Sequence, residues 1–119
     1  MGEKRRTILI VDDNPDQVEM LAMLLTDAGH RVERATDPLY ALTLVREFRP
    51  EIVFLDIGMP HMDGYEVLRR LRQHFKGARI YAVTGRSDDE ARRKSAEAGF
   101  DGHFVKPLDF SVVEKLLED

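Results

Sequence analysis

Five short stretches rich in β-branched and apolar residues recur along the chain, at Thr7–Asp12, Arg31–Ala35, Ile52–Asp56, Arg79–Thr84 and Gly102–Lys106. The segments between them have the length and pattern of helices, so strand and helix alternate. The third stretch, IVFLD, is a continuous apolar run, as expected of a strand buried on both faces. The second, RVERA, alternates and is expected at a sheet edge. Helix boundaries carry separate signals. Asn14-Pro15-Asp16-Gln17 offers a cap, a first-turn proline and a glutamine at the third position. Asp37-Pro38 repeats the cap and proline, while Asp63…Glu66 and Ser87…Glu90 read as capping boxes. Gly29 and Gly99 stand where a left-handed residue closes a helix, and Pro50 stops the second helix. The alternation predicts an α/β fold of five helices around a five-stranded, doubly wound parallel sheet. For so short a chain the flavodoxin-like strand order 2-1-3-4-5 is the economical arrangement. Residues 1–119 are expected to form one domain.

In such a sheet all strands end at the same edge, and ligands bind where strand order reverses, between strands 1 and 3. Strand 1 ends in Asp12 and Asp13, strand 3 in Asp56, strand 4 in Thr84 and strand 5 in Lys106. Three carboxylates in one crevice raise one another's pKa values unless a cation sits among them. With oxygen ligands and no His or Cys at the matching strand ends, the pattern points to a hard ion, Mg²⁺ or Mn²⁺ before Zn²⁺. Lys106 adds a fixed cation and Thr84 a hydroxyl donor, a combination suited to a phosphoryl group. A carboxylate can itself be the nucleophile. Asp56 is the best placed, because Asp12 and Asp13 on the neighbouring strand can hold the metal. Taken singly, each of these residues has an ordinary structural explanation, such as a helix cap or a solvated lysine; their convergence on one edge does not.

Composition narrows the field. The 119 residues carry a net charge of −4, so no general attraction to nucleic acid is expected. There is no cysteine, which removes disulfides and thiolate metal sites and fits a reducing compartment. Lys4, Arg5 and Arg6 precede an apolar run that meets Asp12 too early for a secretory signal, and no stretch approaches the ~20 residues needed to span a bilayer. A cytoplasmic location without membrane attachment is the expectation.

The motifs VDDN, FLDIGMPHMDGYEV, VTG and AGFDGHFVKP, in that order, closely resemble those of response regulator receiver domains, the phosphoacceptor modules of two-component signalling. The resemblance runs from ILIVDDNPD to KPLDF. It implies that Asp56 is phosphorylated by a histidine kinase or histidine phosphotransfer protein. It implies that Asp13 is a direct Mg²⁺ ligand, that Asp12 acts through water, and that the Gly58 carbonyl is a further ligand. Thr84 and Lys106 would engage the phosphoryl group, and Lys106-Pro107 would be a cis bond. Such a domain catalyses only its own phosphorylation and dephosphorylation and is not a turnover enzyme.

The chain departs from the family pattern at His103, where Tyr or Phe is usual and switches between rotamers. Either His103 moves inward when Thr84 is drawn to the phosphoryl group, in a pH-sensitive way, or it stays facing solvent. By analogy the readout face is helix 4, strand 5 and helix 5. Helix 4, DDEARRKSAEA, can bury little besides alanine and should be weakly anchored. In the first helix Val18, Leu21, Ala22 and Leu25 form a core stripe, leaving Met20, Met23 and Leu24 as a candidate docking surface for the phosphodonor. Gly58 and Gly85 leave the site open, and Arg86 could steer the phosphoryl group. His61 reads as a solvent-facing loop residue, while His30 and His74 lie at or just past helix ends, where a cation suits the dipole, with no function assigned. Three other readings compete. The chain could be a receiver cut from a hybrid histidine kinase. It could be a pseudo-receiver that only binds partners, although all five site residues are present. It could be an Mg²⁺-dependent phosphatase with its nucleophile on strand 1, but that chemistry needs an acid two positions on, where Asn14 stands.

Overall fold

A computed structural model of the chain describes residues 5–59, 63–85 and 89–118. The elements follow in the order β1 (Thr7–Val11), α1 (Pro15–Asp27), β2 (Arg31–Ala35), α2 (Pro38–Phe48), β3 (Ile52–Asp56), α3 (Gly64–His74), β4 (Arg79–Thr84), α4 (Asp89–Ala98), β5 (Gly102–Val105) and α5 (Phe110–Leu117). The strands form one parallel sheet in the order β2-β1-β3-β4-β5, as the alternation predicts. Ser87, Asp88, His61 and Arg86 lie outside the described residues.

Side chains alternate across the sheet and separate two cores. Ile8, Ile10, Ile52 and Phe54 face α1 and α5, whereas Leu9, Val11, Val53 and Leu55 face α2 and α3. The stripe Val18, Leu21, Ala22 and Leu25 is the buried face of α1, while Met20 and Met23 stay 67% and 59% exposed. β2 lies at the edge, with Arg31 over the ring of Phe48 and Arg34 paired with Glu19 of α1. Helix α4 buries only Ala91 and Ser95, so little apolar area holds it. Its Lys94 ammonium lies over the Tyr65 ring of α3. Among the described residues no helix is long and apolar enough to cross a membrane.

Several local expectations differ in detail. Strands β1 and β5 end one residue early, at Val11 and Val105. The N–H groups of Asp12 and Lys106 still reach Ala35 O and Thr84 O, but the chain then turns away. Asn14 caps α1 by accepting from Asp16 N and Gln17 N. Its own N–H, however, goes to Asp12 Oδ1 at 2.9 Å rather than to Gln17. Asp63 caps α3, while Glu66 turns to Arg69 and Arg70 instead of back to the cap. Gly29 and Gly99 do take positive φ. So does Arg49 (φ 54°), which closes α2 without glycine and lies over the Phe75 ring. Gly64 permits a close approach: a Cβ there would come 2.7 Å from the Ile57 backbone, so α3 starts in direct contact with the chain leaving β3.

His30 is buried, which its position after α1 does not reveal. Nδ1 accepts from Arg6 N at 3.1 Å, which places the ring proton on Nε2, 2.9 Å from Glu114 Oε2. The ring thus ties the start of β1 to α5 and does not act as an exposed cation at a helix end. His74, by contrast, stays exposed beside Arg46.

Candidate functional site

Register brings the site together. Val11 pairs with Leu55, so Asp12 and Asp56 fall at the next step on adjacent strands. Asp56 pairs with Val83, which puts Thr84 one step beyond it, and Thr84 pairs with Val105, just before Lys106. Asp12, Asp56 and Thr84 are buried; Asp13 is exposed.

Asp56 is 3% exposed and has a partner for each carboxylate oxygen. Oδ1 accepts from Gly58 N at 2.8 Å, and Oδ2 lies 2.8 Å from Lys106 Nζ. The ammonium also reaches Asp12 Oδ2 at 3.2 Å, so one lysine bridges two strands' carboxylates. The Lys106–Pro107 peptide is cis. A Cβ on Gly58 would stand 3.4 Å from Asp56 Oδ1, over the carboxylate, and the glycine leaves that side open.

The electrostatics reflect crowding. Burial pushes the Asp12 carboxyl above its ordinary range, and the charge of Asp56 adds to this; the Asn14 N–H and Lys106 oppose it without cancelling it. Burial alone would lower Lys106, but the hydrogen bond and charge of Asp56, with help from Asp12, hold it above the usual lysine value. Asp12, Asp13 and Asp56 each present a carboxylate oxygen within 4.8 Å of the others. An all-oxygen set around one surplus of negative charge is the donor chemistry of a hard divalent ion.

His103 is half-buried, with Nδ1 3.1 Å from Ser95 Oγ, so it links β5 to α4 instead of pointing freely into solvent. Pro107, expected from the sequence only as the proline of a cis bond, has a second place here beside Leu108 and Phe110, which carry no sequence expectation. With Met20, Leu21 and Leu24 of α1 they line a groove of about 460 Å³ that runs up to Asp12 and Lys106. The apolar residues in KPLDF, a segment too short to form a helix face, were the available signal.

The family model for the response regulator receiver domain matches residues 8–118. The chain is 38% identical, over 91% of its length, to 47% of the DNA-binding response regulator MtrA of Mycolicibacterium smegmatis. It is 33% identical, over 92% of its length, to 12% of the sensor histidine kinase RcsC of Escherichia coli. It therefore spans about half of the first relative and a small part of the second. The Vibrio cholerae chemotaxis protein CheY4 superposes with a TM-score of 0.87 at 29% identity, covering 97% of this chain and 98% of that one.

Proposed function

Because the chain belongs to the response regulator receiver domain family of two-component signalling, we propose that it accepts a phosphoryl group on Asp56 from a phosphohistidine of a histidine kinase or phosphotransfer protein. The observation that carries this reading is the setting of Asp56, a buried carboxylate held between the Gly58 amide and the Lys106 ammonium, beside Asp12 and Asp13. An oxygen of Asp56 attacks phosphorus as the bond to the imidazole nitrogen breaks; the electron pair leaves with the ring, and an acyl phosphate remains. The chain's part is positioning and charge neutralisation. Lys106 offers its ammonium to the phosphoryl oxygens, and Thr84 its hydroxyl. Asp12, Asp13 and Asp56, with the Gly58 carbonyl, would hold Mg²⁺ or Mn²⁺, which supplies further positive charge. The domain acts on its own aspartate and turns over no free metabolite.

The phosphodonor docks along α1, where exposed Met20 and Met23 border the apolar groove leading to Lys106. Readout lies on α4, β5 and α5, where a thinly anchored helix meets His103 through Ser95. The phosphatase reading has little support: Asn14, in the place of the required acid, is engaged as the cap of α1.

Incubation with acetyl phosphate and Mg²⁺ is expected to add one phosphoryl mass, and Asp56→Ala to abolish it. A full-yield adduct on that variant would move the nucleophile elsewhere. Met20→Glu is expected to slow transfer from a phosphohistidine donor while sparing acetyl phosphate labelling; equal rates for both donors would remove docking from α1.

A further inference from the structure

We infer that Met20 and Met23 form a modification site, where oxidation of both thioethers to sulfoxides by a peroxide slows phosphoryl transfer from the docked donor. The inference rests on the reading of α1 as the docking surface and adds a chemical control to it. The two side chains lie one turn apart on α1, 67% and 59% exposed, so an oxidant reaches both without any opening of the fold. Met59, by contrast, is 6% exposed and enclosed in the core on the α2 and α3 side. The chain has no cysteine, so no thiol draws the oxidant away from the thioethers. Met20 also lines the apolar groove that runs to Lys106, beside Leu21 and Leu24.

The step needs only a peroxide. The sulfur lone pair attacks one oxygen of hydrogen peroxide, and the S–O bond forms as the O–O bond breaks. Hydroxide leaves and takes up the proton carried by the transferred oxygen. Sulfur loses two electrons, peroxide gains them, and the products are one sulfoxide and one water. The change turns a flexible apolar side chain into a polar, chiral one. In the free protein the new oxygen faces water, and the stripe that holds α1 to the core, Val18, Leu21, Ala22 and Leu25, is untouched. Against an apolar partner surface the same oxygen must shed its water without a hydrogen bond in return. Oxidation therefore acts on docking and spares both the fold and the chemistry at Asp56. Sulfoxide reductases reverse it, one enzyme for each epimer.

The test treats the folded protein with hydrogen peroxide, removes the oxidant, and follows mass and transfer rate together. Peptide mass analysis should find sulfoxide at Met20 and Met23 before Met59. The docked donor is a histidine kinase that, once autophosphorylated, labels the untreated protein; acetyl phosphate is the donor that needs no docking. Oxidation at the two positions should slow transfer from the kinase roughly tenfold, the order expected of burying a polar group without a partner. Acetyl phosphate labelling should keep its rate, and sulfoxide reductases should restore transfer from the kinase. The double variant Met20→Leu/Met23→Leu, compared with its own untreated form, should show no slowing, although Met1, Met59 and Met62 remain in it. An unchanged kinase rate with both sulfoxides formed overturns the inference. So does equal slowing in the double variant or with acetyl phosphate, or oxidation of Met59 first. Should oxidation have no effect, Met20→Glu separates the two failures. Slower kinase transfer in that variant leaves docking on α1 standing without the oxidation control, whereas an unchanged rate removes the docking surface as well.

Discussion

The two ends of the sheet are both rich in polar groups, yet they treat charge differently. At the end where the strands begin, ionic and polar groups are matched. His30 sits between Arg6 N and Glu114. Arg6 reaches Leu117 O and Glu51, and Glu51 in turn accepts from Thr7. Arg72 holds Ala78 O, Gly99 O and Asp101, and Asp101 accepts from Ile80 N. At the end where the strands finish, hydrogen bonds are also made, but three carboxylates cluster around one ammonium that pairs with two of them, Asp12 and Asp56. Satisfied geometry is therefore common to both ends, whereas a surplus of one sign marks only the second. The charge balance separates a set of fasteners from a cluster whose carboxylates outnumber the cation paired with them.

Three variants can break or sharpen that contrast. The largest effect is expected at the matched end. His30→Ala removes a buried ring and leaves Arg6 N–H and Glu114 without their partner, which should cost about 2–3 kcal/mol in chemical denaturation. Acetyl phosphate labelling of the folded variant should persist; a loss below about 0.5 kcal/mol would show that the ring is not a fastener. At the surplus end the sign should reverse. Asp13→Asn removes one of three crowded carboxylates and should raise stability by about 1 kcal/mol at low ionic strength, less in high salt. A lower thermal midpoint at low salt would contradict the surplus. The smallest effect is expected for Glu51→Gln. Burial alone would raise the Glu51 carboxyl, but the Thr7 N–H and Arg6 outweigh it and hold it below its ordinary value of 4.5. A lowered folded pKa means stability present above pH 4.5 and lost as pH falls through the folded value. The group is largely exposed, so the loss at neutral pH should stay under about 0.5 kcal/mol. An equal loss in strong acid would assign the effect to packing.

The strands, the edge placement of β2 and the buried stripe of α1 could be read directly from residue patterns, because apolar periodicity is a local property that burial must respect. The acidic site was legible for a different reason: a parallel sheet carries every strand end to one rim, so Asp12, Asp56, Thr84 and Lys106 could be gathered without knowing any distance. What stayed hidden depends on partners remote in sequence. His30 looked like a helix-end residue because Glu114 is 84 positions away. Glu66 and Gln17 fitted capping boxes, but arginines on the same helix drew Glu66 outward and Asp12 took the Asn14 N–H that Gln17 would have met. Arg49 shows the same limit: its positive φ coincides with the Phe75 ring beneath its guanidinium, a contact that no local signal contains.

The edge strand has a consequence for how the protein behaves in a crowd. β2 ends the sheet with a row of backbone groups that faces outward, the kind of border on which another extended chain can build. Along its five residues, three are charged, Arg31, Glu33 and Arg34, and two of them are anchored to neighbouring helices by Phe48 and Glu19. An incoming strand would have to strip water from these charges and dislodge both arginines. The sheet therefore stops growing at β2 through electrostatic gatekeeping, and copies held close together should resist assembling edge to edge into aggregates.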